Sequence, residues 1–382
     1  MQITSFFVAL ALAVSSVSGL PTAAVNGRGI FDGTVGATDD LLIFDSPGFP
    51  DPANPGNTLI SLQTFVSLRQ VDLGLVTKAI TEAISALGVE VGDSLNILQG
   101  RIKLIGAIGL PGKSTTVTVP GCTEPAAKSG STSGSDLGMS LKTVSLGQCA
   151  SNVKEFTATS SFGGFLNDRT SQATVFNSPN SGFGVISDID DTIKISNVLD
   201  TVALIKSTLL EAPKPVAGMP ELYGKLAQSL NQPQFVYVTG SPFQLYPFLN
   251  DFIDTTYSAS KGPIFAQNLT IVDPVEAIKF VSNGNTEGFK NAQIDRLRVM
   301  YLNKKWLAIG DSTQKDPEVY GASFKRHGDA IACSWIRRVE GANNTDERFA
   351  AAFAGVPANK FRIYTDADIP SLANINVAAG EC

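Results

Sequence analysis

The chain has 382 residues, 43% apolar and 17% charged, with 35 Gly and 20 Pro, so it reads as neither disordered nor fibrous and is long enough for two domains. A formal net charge of −6 argues against nucleic acid as a partner and removes the simplest electrostatic route to an anionic membrane. The single histidine, His327, excludes zinc sites built on two or three histidines and leaves proton transfer in any enzyme to carboxylates.

At the N-terminus an apolar run, Phe6–Val14, precedes the small residues Ser15–Gly19. It is too short for a membrane span and has the pattern of a cleaved signal peptide over residues 1–19, which predicts a secreted protein. No later stretch reads as a transmembrane segment. Residues 70–90 carry apolar side chains at helical spacing, a helix that packs on its own domain rather than on a membrane. Arg101–Gly106 and Thr116–Pro120 read as two strands joined by a Gly-Pro turn. Between them Ala107-Ile-Gly-Leu-Pro-Gly112-Lys113-Ser114 imitates a phosphate-binding loop with Ala in place of the first Gly, but Thr115–Pro120 is β-branched and offers no helix to follow it. Residues 20–175 are therefore read as a smaller, partly β domain led by a helix. Four cysteines fit an oxidising compartment, with Cys122–Cys149 and Cys333–Cys382 as the expected pairs. The sequons at Asn268 and Asn343 are compatible with a glycoprotein.

From about residue 183 the text changes to α/β. Apolar runs at Phe183–Ile186, Phe235–Val238 and Trp306–Ile309 alternate with helical patterns at Val198–Leu210, Glu221–Leu230, Leu245–Ile253 and Ala292–Met300. That alternation predicts a parallel sheet with helices on both faces, and ligands bind at the carboxyl ends of such strands. Asp188 and Asp190 follow the first run. Carboxylates two residues apart at a strand mouth repel unless a cation partners them, and hard oxygen ligands suit Mg²⁺. An acidic helix N-terminus would account for the same residues without function. Thr239-Gly-Ser-Pro offers a hydroxyl and N–H groups to an anion, or an ordinary cap. Lys290 opens the next helix, where a cation disfavoured by the dipole suggests a nearby anion. Asp311 and Asp316 follow the last strong strand.

The elements at 188, 239, 290 and 311 are spaced by 51, 51 and 21 residues. Together they resemble the haloacid dehalogenase superfamily of phosphotransferases. Ser187–Lys194, Pro215–Tyr223, Tyr237–Leu245, Gly310–Tyr320 and Ile336-Arg-Arg-Val339 narrow the resemblance to the actin-patch type of Mg²⁺-dependent phosphatidate phosphatase, over roughly 183–340, with weaker similarity around Gly109–Lys113. The family's usual Ser-Pro-Trp-Gln-Leu reads Ser241-Pro-Phe243-Gln-Leu here, and Thr239 stands where Ser is common.

The resemblance implies a haloacid-dehalogenase-like catalytic domain over 176–382 that hydrolyses phosphatidate to diacylglycerol. In that scheme Asp188 is the nucleophile and forms an aspartyl-phosphate. Asp190 serves as proton donor and then acceptor, and Thr239 and Lys290 hold the phosphoryl group. Mg²⁺ is bound by Asp188, Asp190 through its carbonyl, Asp311 and, directly or through another ligand, Asp316. Asp191 is expected to face solvent, Thr192 to support the loop, and His327 to be incidental. Partners are then a phospholipid or another phosphomonoester, with a peripheral membrane contact compatible with this reading. Secreted hydrolysis of a soluble or protein-bound phosphate and a secreted binding role are the alternatives. Ser196–Pro215 and Thr270–Gly288 are the segments expected to cover the site.

Overall fold

The computed structural model describes residues 33–69, 72–136, 138–163, 168–268 and 286–382. Residues 1–32, where a signal peptide is expected, most of Thr270–Gly288 and Thr270 of the first sequon lie outside the described residues. No helix among those described is long and apolar enough to cross a membrane.

Residues 33–177 form a mostly antiparallel sheet. Its strands run in the spatial order Asp39–Ile43, Thr58–Leu68, Ser46–Pro50, Arg169–Asn177, Glu155–Phe162, Thr116–Thr118 and Ala126–Lys128, and Met139–Ser145 adds to Thr58–Leu68. Glu155–Phe162 shows why this segment is sheet. Phe156, Ala158 and Ser160 point inward while Glu155, Thr157 and Ser161 face water, the period of two expected of a one-sided strand. The disulfide Cys122–Cys149 closes the loop between Thr118 and Glu155.

Two expectations fail here. The helix Gly74–Ala86 does not lead the domain, because three strands with covered apolar faces come before it. Arg101–Gly106 is not a strand: residues 95–102 are helical and 103–106 are turns. Leu98, Ile102 and Ile105 recur at i, i+4 and i+7 and are all buried, so the apolar period over this stretch is helical once Leu98 is included. The Pro111-Gly112 turn leads into the short strands Lys113–Ser114 and Thr116–Thr118, and Lys113 pairs with Asp39 at 2.9 Å.

Residues 183–364 carry six parallel strands in the order Ile264–Gln267, Gln234–Pro242, Phe183–Ser187, Lys305–Asp311, Ile331–Arg337, Phe361–Tyr364. Both sheet faces are covered, which is why the central runs are continuously apolar. Val185, Tyr237 and Ile309 pack toward helices Met219–Ser229 and Tyr246–Thr256. Their neighbours Ile186, Val236, Val238 and Ala308 pack toward Thr286–Met300, Asp316–His327 and Asp346–Ala352. Gly184 lets Trp306 cross this sheet, since a Cβ at Gly184 would overlap the indole. Cys333–Cys382 ties the C-terminus to the fifth strand.

The two halves share one core. A single apolar cluster runs from Phe44 and Phe65 through Ile84 and Ile102 to Val185, Tyr237 and Ile253. Polar contacts cross the same seam: the Asp45 N–H donates to the Tyr246 hydroxyl at 2.8 Å, and the Tyr301 hydroxyl donates to the Gly48 carbonyl at 3.0 Å. Arg101 donates to the carbonyls of Thr208 and Glu211 and stacks on Phe248, which pins Ser196–Pro215 to the N-terminal half.

Burial, with Asp254 and Glu155 nearby, raises the Asp45 carboxyl from 3.8 to about 6, against the opposing N–H of Thr174. The folded state therefore holds this proton more tightly than the unfolded chain does. The stability it contributes is complete below pH 3.8 and is lost as pH rises to about 6, a difference of about 3 kcal/mol. Replacing Asp45→Asn keeps an acceptor for Thr174 and removes the buried charge. The expected result in urea titrations is a gain of up to about 3 kcal/mol at pH 7.5 that shrinks toward zero at pH 4. A gain independent of pH, or a loss, would contradict the assignment.

Candidate active site

The carboxyl ends of three central strands converge on one buried cluster. Strand Phe183–Ser187 delivers Asp188, whose N–H donates to the Ile309 carbonyl at 2.9 Å and so remains in the ladder. Gln234–Pro242 delivers Thr239 and Ser241, and Lys305–Asp311 delivers Asp311. Helix Thr286–Met300 brings in Lys290, and Asp316 begins the helix after Asp311. All six residues expected at the site are buried at this end of the sheet, Asp188, Lys290, Asp311 and Asp316 in one group and Asp190 with Thr239 in another. Gly310 makes the convergence fit, because a Cβ there would overlap the Asp316 carboxylate.

Lys290 Nζ bridges Asp188 Oδ1 at 2.7 Å and Asp316 Oδ1 at 2.5 Å. The Thr192 hydroxyl lies 3.0 Å from Asp188 Oδ2 and 3.2 Å from Asp311 Oδ2. The second Asp316 oxygen accepts the Asp311 N–H at 3.2 Å. Lys290 sits in the second turn of its helix rather than at the start, which extends back to Thr286. Its compensating anions are thus the protein's own carboxylates, and these hold the ammonium well above its ordinary range despite burial.

Asp188, Asp311 and Asp316 place ligand oxygens within 4.8 Å of one another. Burial, then repulsion from Asp316 and Asp191, pushes the Asp311 carboxyl up to about 7. Burial does the same to Asp188, outweighing the pull of Lys290 and reinforced by Asp316, Asp311 and Asp190. Three acids with one lysine leave two negative charges uncompensated in a dry site when all are ionised. A divalent cation with a preference for oxygen offsets that excess, so the donor set fits one.

Asp190 is set apart from this cluster, and its carboxylate is not among the grouped ligands. Oδ1 receives Lys194 Nζ at 3.3 Å and the Ser196 hydroxyl at 2.7 Å, and Oδ2 receives Thr239 at 2.9 Å and Ser241 at 2.7 Å. Burial alone would raise this carboxyl. Lys194 and the three hydroxyls outweigh it and hold the group below the usual carboxylate range.

Asp191 corrects the expectation of a solvent-facing acid. It is buried in the left-handed region at φ 57°, which Asp tolerates, and it accepts the N–H groups of Ser196, Asn197 and Val198 at 2.6–2.8 Å. It shapes the loop that returns Lys194 to Asp190. Four further residues were not singled out in the sequence. Ser196 and Ser241 anchor Asp190, the Tyr223 hydroxyl meets Ser187 Oγ at 2.7 Å, and Arg337 donates to the Asp191 carbonyl while pairing with Asp366. Ser241, Tyr223 and Arg337 lay inside the recognised motifs, so a signal existed. His327 bonds Asp295 at the far end of its helix.

Comparison with known proteins shows what part of the chain resembles. Residues 183–338 match the family model described as phosphatidate phosphatase APP1, catalytic domain. This segment is similar to that catalytic domain, and it takes in five of the six parallel strands. Phosphatidate phosphatase APP1 of Saccharomyces cerevisiae is 27% identical over 159 residues, which is 41% of this chain and 26% of the yeast protein. An uncharacterized protein of Schizosaccharomyces pombe is 25% identical over 167 residues, 42% of this chain and 26% of its own. The chain thus spans about a quarter of the length of these relatives, and its N-terminal sheet lies outside the APP1 match.

Proposed function

We propose that the protein is a Mg²⁺-dependent phosphatidate phosphatase with a haloacid-dehalogenase-like catalytic domain, hydrolysing phosphatidate to diacylglycerol and phosphate. The observation that carries this reading is the buried Asp188–Lys290–Asp316 bridge beside Asp311, with Asp190 held separately. The likeness of residues 183–338 to the APP1 catalytic domain supports the choice of phosphatidate.

Asp188 attacks phosphorus, forming a P–O bond to its carboxylate as the bond to the glycerol oxygen breaks. Lys290 on one oxygen and Thr192 on the other fix the plane of that carboxylate. Asp190 gives its proton to the leaving alkoxide and then takes one from the water that cleaves the aspartyl-phosphate. Because an incoming phosphate repels its charge, substrate itself raises the proton affinity of Asp190. Thr239 and Lys290 orient the phosphoryl group, since positioning and electrostatics dominate such transfers. Asp188, Asp311 and Asp316, with the Asp190 carbonyl, would hold Mg²⁺, which when bound neutralises charge on the phosphoryl oxygens.

The same reading makes residues 1–19 a cleaved leader and the protein secreted; two disulfides that use all four cysteines support it. It divides the chain into 20–175 and 176–382.

The test is phosphate release from phosphatidate in mixed micelles and from a soluble aryl phosphate, with Mg²⁺ or EDTA. Turnover of phosphatidate that EDTA abolishes is expected. Turnover of the soluble ester alone would keep the chemistry and refute the lipid substrate.

A further inference from the structure

All four acceptor positions of the Asp190 carboxylate are taken, but its two oxygens are not equivalent. Oδ2 meets two hydroxyls, Thr239 and Ser241, and a hydroxyl can rotate from donor to acceptor. Oδ1 meets Lys194, whose ammonium donates only. Lys194 also donates to Ser196 Oγ, which directs the serine proton toward Oδ1. Lys194 is buried beside the buried Asp190 carboxylate. Its neighbours are Asp190, Ser196 and the Phe248 ring at 5.8 Å. The Ser196 proton has the Lys194 carbonyl as a longer alternative at 3.4 Å, so a proton carried by Asp190 is better accepted on the Oδ2 side, where Thr239 is proposed to hold the phosphoryl group.

We propose that Lys194 is a positioning residue for departure of the leaving group: it reserves Oδ1 of Asp190 as a permanent acceptor and so confines the transferable proton to Oδ2. The role rests on Asp190 acting as proton donor, as argued above. It predicts a dependence on the leaving group that a scaffold residue would not show. The alkoxide of phosphatidate needs that proton, whereas 4-nitrophenolate leaves without one.

The experiment compares kcat on phosphatidate and on 4-nitrophenyl phosphate for the full chain and three variants, with melting curves to confirm folding. Lys194→Met is expected to lose on the order of 100-fold on phosphatidate and no more than about 5-fold on 4-nitrophenyl phosphate. Lys194→Arg, still a donor only, is expected to bring the ratio of the two rates back to within about 5-fold of the parent. Should Lys194→Met fail to fold, Ser196→Ala removes one Oδ1 donor without stranding a charge. It is expected to shift the ratio the same way by about 10-fold. Equal losses on both esters, or Lys194→Arg no better than Lys194→Met, would overturn the role of Lys194 and leave the hydrolytic reading intact. A parent inactive on both esters would bring down that reading, and this role with it.

Discussion

Asp188→Asn is expected to reduce Mg²⁺-dependent phosphate release by on the order of 10⁵-fold, to background, while leaving the fold intact. The asparagine amide keeps an oxygen for Lys290, so the 2.7 Å contact has a successor, but it offers no nucleophilic oxygen. Because burial and three neighbouring acids push the Asp188 carboxyl well above its usual range, removing its charge relieves repulsion. The melting temperature at pH 7.5 is accordingly expected to hold or rise. An inactive variant that melts well below the parent would mean that Asp188 serves the fold and not the reaction.

Lys290→Met is expected to disturb stability and activity together. Lys290 is buried and bridges two carboxylates at 2.7 and 2.5 Å, and Asp311 stands beside them. Removing the ammonium strands three acids, and breaking a buried pair from one side costs about 3–5 kcal/mol. In EDTA the variant is expected to unfold more easily by that amount, with Mg²⁺ recovering part of the loss because a cation among the same oxygens replaces some of the missing charge. Activity is expected to fall by on the order of 10³-fold, as for loss of a positioned electrostatic group. Stability in EDTA equal to that of the parent would refute the charge balance drawn here.

How much of this was legible follows from which interactions are local. Strands such as Trp306–Ile309 stood out because both of their faces are covered, which writes a continuous apolar run into the sequence. The helix at Glu221–Leu230 was readable from its own period and is found at Met219–Ser229. The strands Ile264–Gln267 and Phe361–Tyr364 are four residues each and carry too short a pattern to register. Arg101–Gly106 misled because its apolar residues only make sense with Leu98, one turn earlier, and with the seam they pack against. At the site, Asp188, Asp190, Thr239, Lys290, Asp311 and Asp316 were legible because motif spacing marks them. Asp191 was not, because its role depends on a left-handed backbone and three N–H groups that appear only once the loop is closed. Lys194 had a faint signal in its i+4 spacing from Asp190, but its burial is a property of the packed seam around Phe248.

The covalent step at Asp188 is the central claim, and chemical trapping tests it most directly. The protein is quenched during turnover of phosphatidate and treated with borohydride, which reduces an acyl phosphate to an alcohol; the peptide spanning residues 183–194 is then weighed by mass spectrometry. The account predicts homoserine at position 188, present only with substrate and Mg²⁺ and absent from Asp188→Asn. Reduction at Asp190 or Asp311 instead, or turnover with no reduced aspartate, would contradict it.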